Sequence, residues 1–366
     1  MRDEGREHGA SSVGPSWPRS ARERQSPRSV HAGFTSRAGD PVAAYDDSVL
    51  RPAPARARAT HVIALIAACV MVAVAFAPVE ASAKTDPRLT RAFFTDPKST
   101  AAVAARADGR FTSLARTPQA FWATDHLSPS RVKKVVRAYA KRAAAKKRTP
   151  VVSVYAIPAR DCGNHSAGSF DATTYKRWVA QLAAGLKGTK AIAVLEPDAL
   201  AMLGECPAQG DRTGLLRYAT AKLKRAGVWV YVDAGHSAWT APDVMAARLK
   251  AAGISSARGF STNVANFRPT ADEIAYGDQV VAALAALGIR GKKFVVETAR
   301  NGAVTAAGDF CNPVSARVGA RPRMVRRGNL DAFMWVKHPG ESDGPCNGGP
   351  AAGSWWPGGA LTLLGR

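Results

Sequence analysis

The chain is poor in negative charge and in cysteine, and no apolar run in it is long enough to span a membrane. Its 366 residues carry 28 Asp and Glu against 51 Lys and Arg, a formal net charge of +23. Such an excess raises polyanions as partners: nucleic acid, an anionic wall polymer or lipid headgroups. The longest uncharged apolar run, Val62–Ala77, has 16 residues, whereas a spanning helix needs about 20. There are five cysteines, and no two fall within C-x₂₋₄-C spacing, which argues against zinc. Internal repeats are absent too, so a solenoid is excluded. With 46% hydrophobic residues, what remains can bury one sizeable core.

Residues 1–60 are rich in Arg, Ser, Pro and Gly with little periodicity, and read as a disordered basic extension. In residues 61–83 the apolar run leads to Pro78 and then Ala81-Ser82-Ala83. A basic flank, an apolar middle and an A-x-A end make a secretory signal peptide, with cleavage expected after Ala83. The charged stretch ahead of it is long for a signal, which suggests a true start nearer Val49 or Leu50. Retention of residues 62–77 would instead give a membrane anchor. Cys69 leaves with the signal, while Cys162, Cys206, Cys311 and Cys346 remain. An even number fits two disulfides in an oxidising compartment, with three pairings open.

The charge excess lies in residues 84–366. Residues 1–83 hold 10 Lys and Arg against 8 Asp and Glu, leaving 41 against 20. Nine basic residues crowd into Arg131–Arg148. Val132, Val135, Val136, Tyr139, Ala140 and Ala143 recur there with the spacing of one buried helix face. Ser128 is placed to cap that helix, with Pro129 at its first position. A solvated basic outer face is the plain account; electrostatic attachment to an anionic surface is the other.

From Lys84 onward, strand and helix patterns alternate. Strands are predicted at Gln119–Thr124, Val151–Ile157, Ala191–Leu195, Val228–Val232, Gly259–Thr262, Phe294–Glu297 and Asp331–Val336. Helices are predicted at Ala172–Gly185, Arg212–Ala226, Pro242–Ala252 and Ala271–Leu287. The strands are apolar along their length, as in a sheet covered on both faces. The pattern predicts a single α/β catalytic domain over 84–366, a distorted seven-stranded parallel β/α barrel of TIM-like type. Asn301–Asn329 shows no clear element, and a loop of that length is usually functional.

Asp161, Asp198, Asp233 and Asp343 each sit just past one of these strands or in the loop after it. Parallel strands bring their C-terminal ends to one face, where such folds carry their chemistry. One aspartate there is more often a cap or a turn residue. Four, each beside Trp, Tyr, His or Arg, suggest carboxylates dividing acid and base roles, as glycosidic cleavage requires.

The segments VYAIPARDCG, VLEPDAL, VYVDAGHSAW, GFSTNVANFR, ETARNG and WVKHPGESDG, with TPQAFWATD before them, resemble the signature segments of glycoside hydrolase family 6. The resemblance covers nearly all of Phe93–Trp356. It implies endoglucanases and cellobiohydrolases that cut β-1,4-glucan with inversion and without metal or cofactor. Asp198 then matches the general acid, and Asp161 a carboxylate that raises its pKa and steers water. Asp343 matches the candidate base, with a relay through water, Ser166 and Asp161 as the competing picture. Asp233 supports the acid, and Tyr155 crowds the sugar at the cleavage point. Trp122, His236, Trp239, Asn263, Asn266, Lys337 and Glu341 match sugar-contacting positions. The family's bridges imply the pairs Cys162–Cys206 and Cys311–Cys346.

Departures from the family pattern are few. Phe310 stands where many members have Trp, and Ser166 is one step from the usual relay serine. No cellulose-binding module or Pro/Thr linker is present. About 280 residues leave little room for roofing loops, so an open cleft and internal cutting are expected. The expectation is a secreted, monomeric endo-β-1,4-glucanase, with β-1,4-glucan as partner and no nucleic acid. A cellobiohydrolase, or a non-catalytic protein holding a wall polyanion, are the alternatives.

Overall fold

A computed structural model describes residues 85–168 and 170–366. The disordered extension expected over 1–60, the signal peptide over 61–83 and the anchor over 62–77 lie outside the described residues. The described residues pack as one compact unit. Among the described residues no helix is long and apolar enough to cross a membrane.

The strands are β1 (Phe121–Thr124), β2 (Val151–Tyr155), β3 (Ile192–Leu195), β4 (Trp229–Asp233), β5 (Gly259–Thr262), β6 (Lys293–Glu297), β7 (Arg323–Arg327) and β8 (Leu330–Met334). They form one sheet in the order β1-β2-β3-β4-β5-β6-β8-β7. Each of the seven pairs is parallel except β7–β8. The helices are α1 (Thr100–Ala107), α2 (Thr112–Ala115), α3 (Pro129–Ala145), α4 (Ala172–Leu186), α5 (Arg212–Arg225), α6 (Pro242–Ala251), α7 (Thr270–Ala286) and α8 (Pro357–Leu363).

The sheet is curled, and alternation along its strands builds two cores. Val152, Val154, Ala193, Leu195, Val230, Val232, Phe294 and Val296 face the helices. Val151, Ile192, Val194, Tyr231, Val295 and Ala332 fill the inside of the curl. Two buried faces explain why these strands read as unbroken apolar runs.

The sheet corrects the expected seven-stranded barrel. Among the described residues it has eight strands, and no ladder joins β1 to the β8–β7 edge. Single contacts bridge that seam instead: Ala120 N–H donates to Trp335 O at 2.9 Å, and Trp122 Nε1–H to Val336 O at 2.7 Å. The extra strand β7 falls in Asn301–Asn329, which had shown no element. Its sequence, Arg-Met-Val-Arg-Arg, has two apolar residues and an exposed face. Charge of this kind is what an unpaired sheet edge carries, so no apolar pattern announces it.

The basic segment is helix α3, with Val132, Val136, Tyr139, Ala140 and Ala143 buried; Val135, expected on the same face, is only half-buried. Pro129 occupies the first turn, but Ser128 makes no side-chain cap. Its Oγ lies 3.0 Å from Ser130 Oγ instead.

Candidate active site

The strand ends open into a cleft of about 1470 Å³. Non-glycine residues with left-handed backbone gather there. They are Asp161 (φ 57°) and Cys162 (φ 48°) after β2, Glu196 (φ 50°) and Asp198 (φ 66°) after β3, and Asn263 (φ 66°) and Ala265 (φ 59°) after β5. Such turns hold side chains at angles that regular structure cannot supply, at an energetic cost the surroundings must offset.

Asp198 is partly open to the cleft, yet its Oδ1 is sealed from solvent and has no hydrogen-bond partner among the described residues. Burial pushes its carboxyl far above the usual range, helped by the charges of Asp233, Asp161, Glu297 and Glu205. A carboxyl so placed keeps its proton near neutrality, which suits a general acid. Asp233 lies beneath it and is 1% exposed. It accepts the N–H groups of Asp198 and Gly235 and the Ser261 hydroxyl, at 2.9, 3.0 and 2.9 Å. Burial raises the Asp233 pKa as well.

Asp161 Oδ2 accepts from both the N–H and the hydroxyl of Ser166, each at 2.8 Å. Tyr155 OH lies 2.9 Å from Ser166 Oγ. The serine proton is committed to Asp161, so the tyrosine must donate. Burial, then the charges of Asp198 and Asp161, push the Tyr155 phenol well up, so it remains a donor.

Asp343 is held differently. Arg300 Nη1 meets its Oδ2 at 2.6 Å, Lys337 Nζ meets Oδ1 at 3.0 Å, and Asn312 N–H donates to Oδ2 at 3.0 Å. Burial pushes this carboxyl up, but the two cations outweigh it and hold it well below the ordinary carboxylate range.

Asp161, Asp198, Asp343, Tyr155, Ser166, Trp122, His236, Trp239, Asn266, Lys337 and Glu341 all line the one cleft. Trp122 meets Tyr155 edge-on at 5.2 Å, and Trp239, in the loop after β4, lies beside His236. Burial lowers the His236 pKa to about 4. Glu341 Oε1 is 2.8 Å from His338 Nδ1 and accepts from the Thr100 hydroxyl.

Asn263 is the exception. It is fully buried, and its amide donates to Arg268 O and Glu297 O and accepts Arg268 N–H. The sugar contact expected of it does not fit, because loop closure consumes the side chain. Asp233 also lies off the cleft surface, beneath the acid. The disulfides pair Cys162 with Cys206 and Cys311 with Cys346.

Sequence reasoning gave no role to four buried groups that hold this geometry. Glu196 Oε2 accepts the N–H groups of Ala156 and Ile157 at 2.9 and 3.1 Å, pinning the β2 loop to the β3 loop. Arg212 donates to Pro158 O, Ala159 O and Ala199 O. Glu297 accepts the Val336, Lys337 and Ala265 N–H groups, and Arg300 pairs with Asp343. An acid at or just past the end of an apolar strand was the available signal for the two glutamates. Among the described residues no group of three or more His, Cys, Asp and Glu could hold a metal.

The profile described as glycosyl hydrolases family 6 matches residues 84–366. The chain belongs to that family. Endoglucanase A of Cellulomonas fimi is 45% identical over 276 residues, 74% of this chain and 60% of its own length. Endoglucanase 1 of Streptomyces halstedii is 38% identical over 310 residues, 80% of this chain and 95% of its own. This family 6 chain thus spans less than two thirds of the first relative and nearly all of the second. Among solved structures, the endoglucanase Cel6 of Mycobacterium tuberculosis, in complex with a methyl-cellobiosyl-thio-cellobioside, is 40% identical with a TM-score of 0.72. The match covers 76% of this chain and 98% of that one.

Proposed function

We propose that this family 6 protein is a secreted endo-β-1,4-glucanase that cuts internal bonds with inversion at the anomeric carbon. The observation that carries the reading is the Asp198 carboxyl, with one oxygen dry and unpartnered, opening onto a cleft walled by Trp122 and Trp239. Asp198 donates its proton to the glycosidic oxygen as the bond to the anomeric carbon breaks. Water attacks that carbon from the opposite face, the geometry in which two carboxyls act with a water between them.

For the proton lost by that water, the Ser166–Asp161 pair is the better acceptor. Ser166 passes its own proton to Asp161 Oδ2 and takes one from the water. Asp343, neutralised by Arg300 and Lys337, is too weak a base to drive the step. We assign it instead to fixing Lys337 and the loop that carries Glu341. Trp122, whose N–H is spent on Val336 O, keeps its ring faces for the C–H faces of glucose; Lys337, Glu341 and Asn266 bond hydroxyls.

Internal cutting fits the loop that flanks the cleft, where Val304, Phe310 and Val314 are 79, 69 and 70% exposed among the described residues. Secretion fits two disulfides, which persist in oxidising compartments. NMR of fresh cello-oligosaccharide products tests the chemistry. The α-anomer should appear first; early β-anomer overturns the inverting assignment. Viscosity of carboxymethylcellulose should fall well before reducing ends accumulate, and a parallel course would mean end-wise cutting.

A further inference from the structure

The cleft does not end at Trp122. It continues over the side of β1 onto α3, where Phe121, Val135 and Ala138 give it an apolar floor. Lys98, Arg131 and Lys134 line the same extension and are exposed. None of the three has an ion pair among the described residues. Two carboxylates line this end, and both are taken: Asp96 by Arg142, Nη2 to Oδ2 at 2.6 Å, and Glu341, which bonds the Thr100 hydroxyl, by His338, Nδ1 to Oε1 at 2.8 Å. Glu205 and Asp309 line the same cleft from the loops after β3 and β6. Among the described residues, Lys98, Arg131 and Lys134 are therefore left on this stretch of the cleft without a paired carboxylate.

We propose that this extension is a subsite for β-glucan carrying anionic substituents such as carboxylates. It rests on the glucanase reading of the neighbouring cleft and names the substrate class that reading leaves open. Ring C–H faces lie on the Phe121–Val135–Ala138 floor, and Lys98, Arg131 and Lys134 meet the acidic groups along the rim. Neutral glucan gains little from three solvated cations. An acid-bearing chain gains attraction that salt screens, with a decay length of about 8 Å at physiological ionic strength.

The test compares carboxymethylcellulose with hydroxyethylcellulose, binding to the Asp198→Asn protein by calorimetry. A second protein adds Lys98→Gln, Arg131→Gln and Lys134→Gln, with equal melting temperature as the control for folding. Dissociation constants for the carboxymethylated chain should rise about tenfold and lose most of their salt dependence. Those for the hydroxyethylated chain should move less than about twofold. Equal changes for both polymers, or none for either, overturn the subsite. If the enzyme with Asp198 intact cuts neither polymer, the glucanase reading falls on its own, while the calorimetric comparison still decides the subsite.

Discussion

The backbone N–H of Asp198 donates to the side chain of Asp233 at 2.9 Å. The bond fixes a second carboxyl directly beneath the acid's own turn. Both groups are desolvated, and the charge of Asp233 makes ionising Asp198 more costly still. A proton held within this pair is what the proposed acid step would draw on.

Asp198→Asn therefore abolishes the proton donor without changing shape. Turnover on carboxymethylcellulose should fall by about 10³-fold or more, with the far-UV spectrum and melting temperature preserved. Near-normal turnover would remove Asp198 from its role.

Asp233→Asn removes a charge that keeps Asp198 protonated. The alkaline limb of the kcat profile should then move to lower pH by about one unit. A profile that loses amplitude but keeps its limbs would reduce Asp233 to a purely structural residue.

Asp343→Asn leaves Arg300 and Lys337 without a counter-charge in a site where Arg300 is 4% exposed. Breaking such a pair should cost about 3–5 kcal/mol of stability, read from urea unfolding. The sign with pH follows from a folded pKa held below the ordinary 3.8. The pair's contribution is complete above 3.8 and is lost as pH falls towards the depressed value. Full activity with added azide only would restore Asp343 as the base and overturn the Ser166–Asp161 route.

Glu196 works in the other direction. Burial raises its pKa from 4.5 to about 7, so the native state holds this proton more tightly than the unfolded chain. That contribution is present below 4.5 and disappears as pH rises through 7, a loss of about 3 kcal/mol. Glu297, also raised to about 7 by burial, adds to the same slope. Asp198 and Asp233, raised by burial as well, steepen the same fall, so Glu196→Gln should flatten only part of it, measured as melting temperature against pH; an unchanged slope places the proton elsewhere.

Replacing Cys162 and Cys206 by serine opens a loop with a sequence separation of 44. Chain entropy puts the cost at about 4 kcal/mol. Because Cys162 adjoins Asp161, kcat should fall as well, even at temperatures where the protein stays folded. Loss of stability with full kcat would free Asp161 from dependence on the bridge.

The alternation of elements and the neighbourhood of the chemistry could be read from the chain alone. Seven parallel strands were legible because both of their faces are buried, leaving apolar runs such as Val151–Tyr155. The aspartates were legible because they interrupt those runs, in segments that resemble one family. Tertiary structure decided what pattern cannot encode. β7 is an edge strand whose charges hide it, and Asn263 spends its amide on its own loop. Glu196 and Glu297 are acids buried against backbone N–H groups from distant segments. The character of each carboxyl was settled there too. Asp198 and Asp343 both follow apolar strands, yet desolvation holds a proton on the first while Arg300 and Lys337 drive it off the second. Those surroundings come largely from chain segments tens of residues apart, and only folding brings them together.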